Sequence, residues 1–314
     1  MKILHIGDIA FVGSLLCREL RRKGIRADLI SKHKGPLQPS RGEDWITYTS
    51  NPWEEFCLGG VNPDHYDLIH LHYLINWGAL GFRLKVTKKP VVLHAHGCDT
   101  RPPTFFHQTA QRFVAGQGKA LLYSTPDLLD NIYWFKGEKI YLPNPVAVED
   151  CLEQPERYHN RVLIFATLYR LKKIEIIFEW IGGSEFFFDM IDYGPDRTYY
   201  KRIAPRNVRW IPPVRKEDVP RLIAMYPLVI GGSQDGTIRI SELEAMALGV
   251  PTVFPFRYHG FYEEPLPLPH GNPMDLKGLL ENRALGQRQK QWVKKYHDAG
   301  RVAEKLIAIY QQVR

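Results

Sequence analysis

The segment Ser241-Glu-Leu-Glu-Ala-Met-Ala-Leu-Gly-Val-Pro-Thr-Val-Phe254 predicts a short helix followed directly by a strand. Before it, the apolar run Pro227–Ile230 ends in Gly231-Gly232 and a polar loop. Gly249 lies where helices commonly end in a residue with positive φ, and Pro251 prevents the helix from continuing. This order of elements is typical of an α/β protein with parallel strands. In such proteins the loop after a strand binds anionic ligands at the N-terminus of the next helix.

Within this segment, Glu244-Ala-Met-Ala-Leu-Gly-Val-Pro251 resembles the E-A-M-A-x-G-x-P signature of family 4 glycosyltransferases. Those are retaining enzymes with the GT-B fold, so the resemblance implies two Rossmann-like α/β domains facing each other across a cleft. It also implies that Glu244 contacts the donor sugar or its ribose, and that amides near Leu243 and Ala245 hold the donor phosphates. The family has a second Glu eight residues earlier, where this chain has Gly236.

A structural alternative for the same helix stays open. Ser241 and Glu244 have the spacing of a capping box, in which the glutamate bonds to the N-cap amide and does no chemistry.

The resemblance extends into the first half of the chain, through a D-x-x-H-x-H strand at Asp67–His72 and a V-x-x-x-H-G strand at Val92–Gly97. It implies that His96 contacts the transferred sugar from the opposite domain. The loop after the first strand would close over the donor phosphates, with Gly13 as the candidate residue. The glycines there do not fit G-x-G-x-x-G, which argues against a nicotinamide-binding domain. Candidate acceptor-side residues in the next loop are Asp99 and Arg101.

In the second half, a buried strand is followed by Thr167-Leu-Tyr-Arg-Leu-Lys-Lys173. The family pattern here is G-R-L, three residues, then K-G, and its Arg and Lys neutralise the diphosphate leaving group. Lys172 occupies the Lys position, Thr167 stands where Arg is expected, and Arg170 is one turn away. Gly194, after the next strand, would let the backbone approach the nucleotide. The alternative is an exposed basic turn with no ligand.

Histidines at i and i+2 of a strand share one face, which applies to His70 with His72 and to His94 with His96. Two such strands side by side can assemble a metal site, and a metal-dependent hydrolase is therefore an alternative function. No acidic residue or cysteine stands at zinc-ligand spacing beside them. We expect no metal and no cofactor, with the nucleotide-diphosphate sugar as substrate.

A length of 314 residues predicts two domains of about 150 residues each. We expect an N-terminal, acceptor-side Rossmann-like domain over 1–150 and a donor domain over 151–285. A C-terminal basic helix over 286–314 would pack back on the N-terminal domain. We expect no signal peptide, because the segment Met1–Ile6 is predicted to be a strand, and the sequence contains no apolar run long enough to span a bilayer. The scattered cysteines favour the reducing cytoplasm: Cys17, Cys57, Cys98 and Cys151.

The formal net charge of +8 and the sequence pI of about 9.2 favour an anionic partner. Between Arg283 and Arg314 there are eight Lys or Arg against two acids, interleaved with apolar residues at helical spacing. Either this helix packs with a solvated basic face, or it binds an anionic membrane surface. No nucleic-acid partner is expected. A second candidate basic patch contains Arg18, Arg21, Arg22, Lys23 and Arg26.

These patterns predict a retaining, hexosyltransferase-like glycosyltransferase, cytoplasmic and in contact with membrane if the basic helix binds one. It would move a sugar from a nucleotide-diphosphate donor to a lipid-linked, glycan or small-molecule acceptor. Gly236 and Thr167 keep an alternative open, a catalytically degenerate GT-B protein that binds a nucleotide sugar or glycan. A nucleotide-sugar epimerase of the same fold is another.

Overall fold

The computed structural model describes residues 1–32, 43–51, 54, 57–72, 88–97, 116, 118–148, 155–232, 236–269 and 276–314. They form two compact units. The first unit takes the residues up to Pro145 together with His297–Arg314, and the second takes those from Val146 to Tyr296. The predicted acceptor-side residues Asp99 and Arg101 lie outside the described residues.

The first unit contains a seven-stranded sheet in the order β3-β2-β1-β4-β5-β6-β7, with every pairing parallel. The order reverses beside β1, which makes this the point where open α/β sheets bind ligands. The central strands are buried on both faces, as expected when helices cover a parallel sheet on both sides. The strands are β1 (Lys2–Ile6), β2 (Arg26–Lys32), β3 (Ile46–Thr49), β4 (Leu68–His72), β5 (Val91–Ala95), β6 (Gly118–Tyr123) and β7 (Glu138–Tyr141).

The second unit contains a five-stranded parallel sheet in the order β10-β9-β8-β11-β12. Its strands are β8 (Arg161–Phe165), β9 (Phe187–Ile191), β10 (Val208–Ile211), β11 (Val229–Gly231) and β12 (Thr252–Val253). Two parallel sheets with alternating helices confirm the predicted α/β class.

The helices of the described residues fall between the strands and at the C-terminus. They are α1 (Val12–Arg22), α2 (Leu128–Asn131), α3 (Glu175–Ile181), α4 (Arg197–Ile203), α5 (Val219–Ala224), α6 (Ile240–Ala247), α7 (Leu276–Glu281), α8 (Arg283–Tyr296) and α9 (Ala299–Val313).

The predicted basic helix over 286–314 is two helices, because the chain leaves helical geometry after Tyr296. The Asp298 side chain accepts a hydrogen bond of 3.0 Å from the Arg301 N–H and so begins α9. α8 belongs to the second unit, where Trp292 and Val293 are buried. α9 belongs to the first unit and packs against α1.

Gln289 of α8 closes the edge of the second sheet. Its amide oxygen accepts from the Thr252 N–H at 2.9 Å, and its amide nitrogen donates to the Thr252 carbonyl at 2.7 Å. The side chain thereby bonds both backbone groups of the edge residue that no further strand pairs. It anchors the strand that follows the signature segment.

The basic patch on α1 is largely paired with acids of its own unit. Arg22 bonds Glu19, and Lys23 bonds Glu304 of α9. Further ion pairs join Asp28 to Arg21 and to Arg26, and Glu19 to Arg18. Among the described residues, the helices include none long and apolar enough to cross a membrane.

One face of the first sheet buries imidazoles. His5, His70, His72 and His94 are fully buried on β1, β4 and β5. Loss of hydration lowers the pKa of His5 to about 3 and lowers the pKa values of the other three well below the usual range, with a further contribution from neighbouring histidines. The folded unit therefore holds these side chains uncharged at neutral pH.

We predict that the first unit is labile in acid. In the unfolded chain a histidine has a pKa of about 6.5. Below that pH the unfolded state therefore binds protons that the buried histidines of the folded state do not bind. Stability is full above about pH 6.5 and falls as the pH drops towards about 3. Four such histidines remove up to about 5 kcal/mol per pH unit, against a typical total of about 5–15 kcal/mol.

Urea unfolding and amide exchange, measured from pH 7.5 to pH 5 at constant salt, check this prediction. We expect protection of the β4 amides to fall steeply with pH. The β9 amides are the internal control, because the described residues of the second unit include no buried histidine. Equal protection of β4 at pH 7.5 and pH 5 would contradict the prediction.

Candidate functional site

Three loops meet at the carboxyl edge of the second sheet. Gly194 adopts φ +142°, and a Cβ there would lie 2.3 Å from the Leu168 carbonyl oxygen. A Cβ on Gly232 would lie 2.3 Å from the Ala166 side chain. The Leu168 N–H donates to the Tyr193 carbonyl at 2.8 Å. The glycines after β9 and β11 thus let both loops close onto the loop after β8.

The loop after β8 presents two of the predicted cations on a short 3-10 turn, Arg170–Lys172. The Arg170 guanidinium lies over the Tyr199 ring at 4.2 Å, and the Arg170 N–H donates to Asp196 at 2.8 Å. Lys173 follows with φ +50°, a left-handed conformation that glycine adopts without strain.

The first turn of α6 is capped by Glu242. One oxygen of the Glu242 carboxylate accepts from the Arg239 N–H and from the Ser241 hydroxyl, each at 3.1 Å. The suggested capping pair of Ser241 with Glu244 is therefore wrong in its residues, because the helix begins at Ile240 and places Glu242 at its third position.

Because α6 begins at Ile240, the backbone N–H groups at its start come earlier in the chain than the predicted ones near Leu243 and Ala245. The Leu243 N–H already donates to the Arg239 carbonyl at 3.1 Å, and Ala245 lies beyond the first turn. The N–H groups that precede the helical ladder are those of Ile240, Ser241 and Glu242. These three are the ones suited to an anion at this helix end.

Glu244, the predicted donor-contacting residue, forms an ion pair with Lys216, and both side chains are partly exposed, Lys216 by 28% and Glu244 by 16%. Sequence reasoning missed Lys216, which lies 28 residues earlier on a 3-10 turn at Lys216–Asp218. Its only sequence signal is a cation in the loop before α5.

Gly236 adopts φ +81°, and a Cβ there would lie 2.6 Å from the Arg257 side chain. Any larger residue at this position would strain the loop.

Glu242 is also a buried acid that sequence reasoning missed. It is fully buried, and burial raises its pKa, while the cations Arg239 and Lys172 oppose that rise. Its second oxygen has no hydrogen-bond partner among the described residues and lies against Gly231, where a Cβ would approach to 2.5 Å. A glycine at the end of β11 is therefore needed to admit this carboxyl group.

The loop after β1 is compact and strained. Gly13 stands in the first turn of α1, where a Cβ would lie 2.7 Å from the Gly7 carbonyl oxygen. Ala10 and Phe11 adopt φ of +48° and +64°, which L-residues rarely take. The Asp8 carboxylate accepts from the Ser14 N–H at 3.1 Å. Gly13 thus has a packing role in this unit, and an acid already occupies one amide at the helix start.

The first unit also contains a closed ring of seven hydrogen bonds that joins five histidines to a serine and a tyrosine. His5 and His70 are register partners in the sheet, as are His72 and His94, so the imidazoles line one face. The sequence analysis placed His70 with His72 and His94 with His96, but it missed the other three members of the ring, which are His5, Ser124 and Tyr310. In order round the ring, the residues are Tyr310, His70, His94, Ser124, His96, His72 and His5.

Two triads of this ring have the ligand atoms that a metal ion would need. They are His5 with His70 and His72, and His72 with His94 and His96, and the nitrogens of each lie within 4.8 Å of one another. In the first triad His5 bonds His72 directly and His70 through the Tyr310 hydroxyl. In the second, His96 bonds His72 directly and His94 through the Ser124 hydroxyl. This geometry satisfies the nitrogens by hydrogen bonding without a central ion.

No protein-family model and no curated protein matches the chain. Solved structures do match over nearly its whole length. Sucrose-phosphate synthase from Thermosynechococcus elongatus is 12% identical with a TM-score of 0.72, covering 99% of both chains. Anabaena HepE in complex with UDP and glucose is 13% identical with a TM-score of 0.71, covering 99% of this chain and 100% of that one. A variant of TarM from S. aureus is 11% identical with a TM-score of 0.70, over 99% and 100%. These likenesses show that the chain has the GT-B fold.

Proposed function

We propose that this protein is a glycosyltransferase that moves a sugar from a nucleotide-diphosphate donor to an acceptor. The observation that carries the proposal is the carboxyl edge of the second sheet. At that edge, three kinds of group lie on neighbouring loops: glycines that allow close approach of the backbone, the cations of the Arg170–Lys172 turn, and the first amides of α6. Support also comes from fold neighbours whose structures are complexes with UDP, namely HepE with glucose and the pneumococcal transferase GtfA with GlcNAc.

The chemistry needs these groups because the nucleoside diphosphate leaves with the electron pair of the broken sugar–oxygen bond. Lys172, aided by Arg170, would neutralise the charge that develops on the diphosphate. The amides of Ile240, Ser241 and Glu242 would bind its oxygens. Gly194 would keep the adjacent loop close enough for a nucleotide to lie against backbone. The donor is the substrate, and we expect no resident cofactor or metal.

Membership of family 4, retention of configuration and hexosyl transfer are proposed from the Glu244–Pro251 signature. In this proposal Glu244 contacts the donor sugar or ribose, and Lys216 is the cation that it must share with or release to the donor. His96 would orient the sugar from the first unit, which would be the acceptor side. Glu242 is engaged in capping, so we assign no carboxylate as a covalent nucleophile.

A degenerate binder remains the second candidate function, because Gly236 and Thr167 replace an expected Glu and Arg. Such a protein would bind the same nucleotides without turnover. Release of nucleoside diphosphate from a donor sugar, with acceptor or water, therefore separates the two candidates.

A thermal-shift screen of the purified chain tests donor binding. The ligands are UDP, GDP, ADP, dTDP and inorganic pyrophosphate, and we expect stabilisation by one nucleoside diphosphate, with UDP first. Calorimetry on Lys172→Ala should then show nucleoside diphosphate affinity reduced about 10- to 100-fold, as for loss of one charge-assisted hydrogen bond. Affinity for the bare nucleoside should stay within twofold.

Lys173→Ala is the matched control, since it removes the same charge one residue away. We expect its effect on diphosphate affinity to be less than threefold. Equal stabilisation by pyrophosphate and nucleotides, or equal losses in the two variants, would count against the proposed site.

Paired substitutions separate the two glutamates of α6. Glu244→Ala should reduce donor-sugar affinity or turnover at least tenfold with little change in melting temperature, because a partly exposed ion pair contributes about 0–1 kcal/mol. Glu242→Ala should instead lower the free energy of unfolding by about 1 kcal/mol or more through loss of the cap. Differential scanning fluorimetry and a donor-binding assay on both variants make the comparison. A loss of stability as large in Glu244→Ala as in Glu242→Ala would remove the functional role.

Contact with an anionic membrane is proposed for the exposed basic face of α8. Vesicles containing phosphatidylserine should co-sediment the protein, and vesicles of phosphatidylcholine alone should not. Binding should weaken as salt rises from 0.05 to 0.5 M, on the order expected for screened charges. Replacing both Arg288 and Lys294 by Gln should reduce binding, whereas the same change at Arg202 and Arg206 should not. Equal binding to vesicles with and without phosphatidylserine would contradict the proposed membrane contact.

A further inference from the structure

The histidine ring balances its protons only when every member is neutral. A neutral imidazole carries one N–H and one bare nitrogen, and a serine or tyrosine hydroxyl carries one O–H. Seven neutral members therefore bring seven protons to seven hydrogen bonds. An eighth proton would place two hydrogens in one of those bonds.

Closure of the ring couples the tautomers of all five histidines. Suppose that Ser124 donates to Nε2 of His94. Then His94 must donate from Nδ1 to His70, and His70 from Nδ1 to the Tyr310 hydroxyl. Tyr310 donates to Nε2 of His5, and the remaining two histidines follow in the same sense. Every imidazole in this order carries its proton on Nδ1.

The opposite order places every proton on Nε2. Ser124 then donates to Nδ1 of His96 at 3.0 Å, and His96 donates from Nε2 to Nδ1 of His72 at 2.9 Å. The ring thus has two proton orders that satisfy all bonds, and a mixture of tautomers leaves at least one bond without a proton. A buried polar group without a hydrogen-bond partner is destabilising, which favours the uniform orders.

His96 is the most exposed member of the ring. Its side chain is partly exposed, whereas the other four imidazoles, Ser124 and Tyr310 are at most 1% exposed. Both of its nitrogens are held, by Ser124 on one side and His72 on the other. Its ring lies tilted against that of His94, with 4.0 Å between centroids, and stacks on that of His72 at 5.2 Å.

We propose that Ser124 and His72 are positioning residues for His96, and that the closed ring holds the His96 imidazole in one orientation and couples its tautomer to those of the other four histidines. Tyr310 of α9 closes the ring and so takes part in setting that tautomer, 240 residues away from His70 in sequence. The proposal rests on the proposed function, in which His96 meets the transferred sugar. Because Ser124 and His72 occupy both nitrogens of His96, a sugar hydroxyl bonds the imidazole by replacing one of them, and the remaining bond keeps the imidazole in place.

Nitrogen-15 NMR of the histidine-labelled protein at pH 7.5 tests the ring directly, without any substrate. Protonated and bare imidazole nitrogens have distinct chemical shifts, so each tautomer can be assigned. We expect the five ring histidines to share one tautomer, all Nδ1–H or all Nε2–H. Mixed tautomers would overturn the proposal. So would a doubly protonated member, or tautomers that change because Zn²⁺ added alone binds the ring.

Substitution of Ser124 tests the positioning role. Ser124→Ala removes two bonds of the ring with a small change in volume. We expect the His96 nitrogen signals to show both tautomers and kcat to fall about tenfold or more, while UDP affinity, a property of the second unit, stays within twofold. Ser124→Thr keeps the hydroxyl and should restore both the single tautomer and kcat.

Tyr310→Phe is the remote counterpart, because it breaks the ring at α9 without touching His96. We expect it also to mix the His96 tautomers and to lower kcat, to a smaller extent than Ser124→Ala. An unchanged His96 signal or unchanged kcat in Ser124→Ala overturns the positioning role, and if that variant fails to fold, the wild-type tautomers and Tyr310→Phe still decide. A wild-type protein that binds no nucleotide would instead refute the proposed function, and the NMR result would stand apart from it.

Discussion

Parallel strand pairing is the constraint on which both units depend. Because every strand in a sheet runs the same way, every strand ends at one edge, and each connection must return across a face before the next strand begins. The loops after β8, β9 and β11 therefore meet whatever their sequences are. Glycine at 194, 231 and 232 then decides how closely they meet, since a Cβ at any of the three would overlap a neighbouring loop or side chain.

The same strand pairing places polar side chains in the interior, where they are tolerated only if all their donors and acceptors are hydrogen-bonded. Register brings His5 beside His70 and His72 beside His94, on a face with no access to water. Buried imidazoles lose hydration and so stay neutral, and neutral imidazoles can form a chain that donates at one nitrogen and accepts at the other. Ser124 and Tyr310 provide the two links that close this chain. The arrangement lowers the free energy of unfolding in acid, because the unfolded chain binds protons more readily than the folded one.

Helix register separates structure from chemistry in α6. Glu242 and Glu244 lie two residues apart and so point to different sides of the helix. One caps the helix beneath Gly231, and the other reaches Lys216. A shift of a single residue in the start of the helix would place Ser241 or Leu243, which carry no carboxylate, at the capping position that Glu242 holds. The donor site proposed here depends on that register more than on the signature alone.

The amino-acid sequence by itself determined the α/β class, most of the strands and the position of the signature helix. These follow from local signals such as the apolar runs at Leu68–His72 and Arg161–Phe165 and the Gly249–Pro251 stop. It did not reveal β3, whose four residues lie in a polar stretch, or the break before Asp298, where a capping side chain outweighs the continuing apolar period. Only the tertiary structure decided that Tyr310 and Ser124 close the histidine ring, that Lys216 pairs with Glu244 and that Glu242 is the capping acid. The physical reason is that hydrophobic periodicity and turn chemistry act over a few residues, whereas these contacts depend on strand order and packing between segments far apart in the chain.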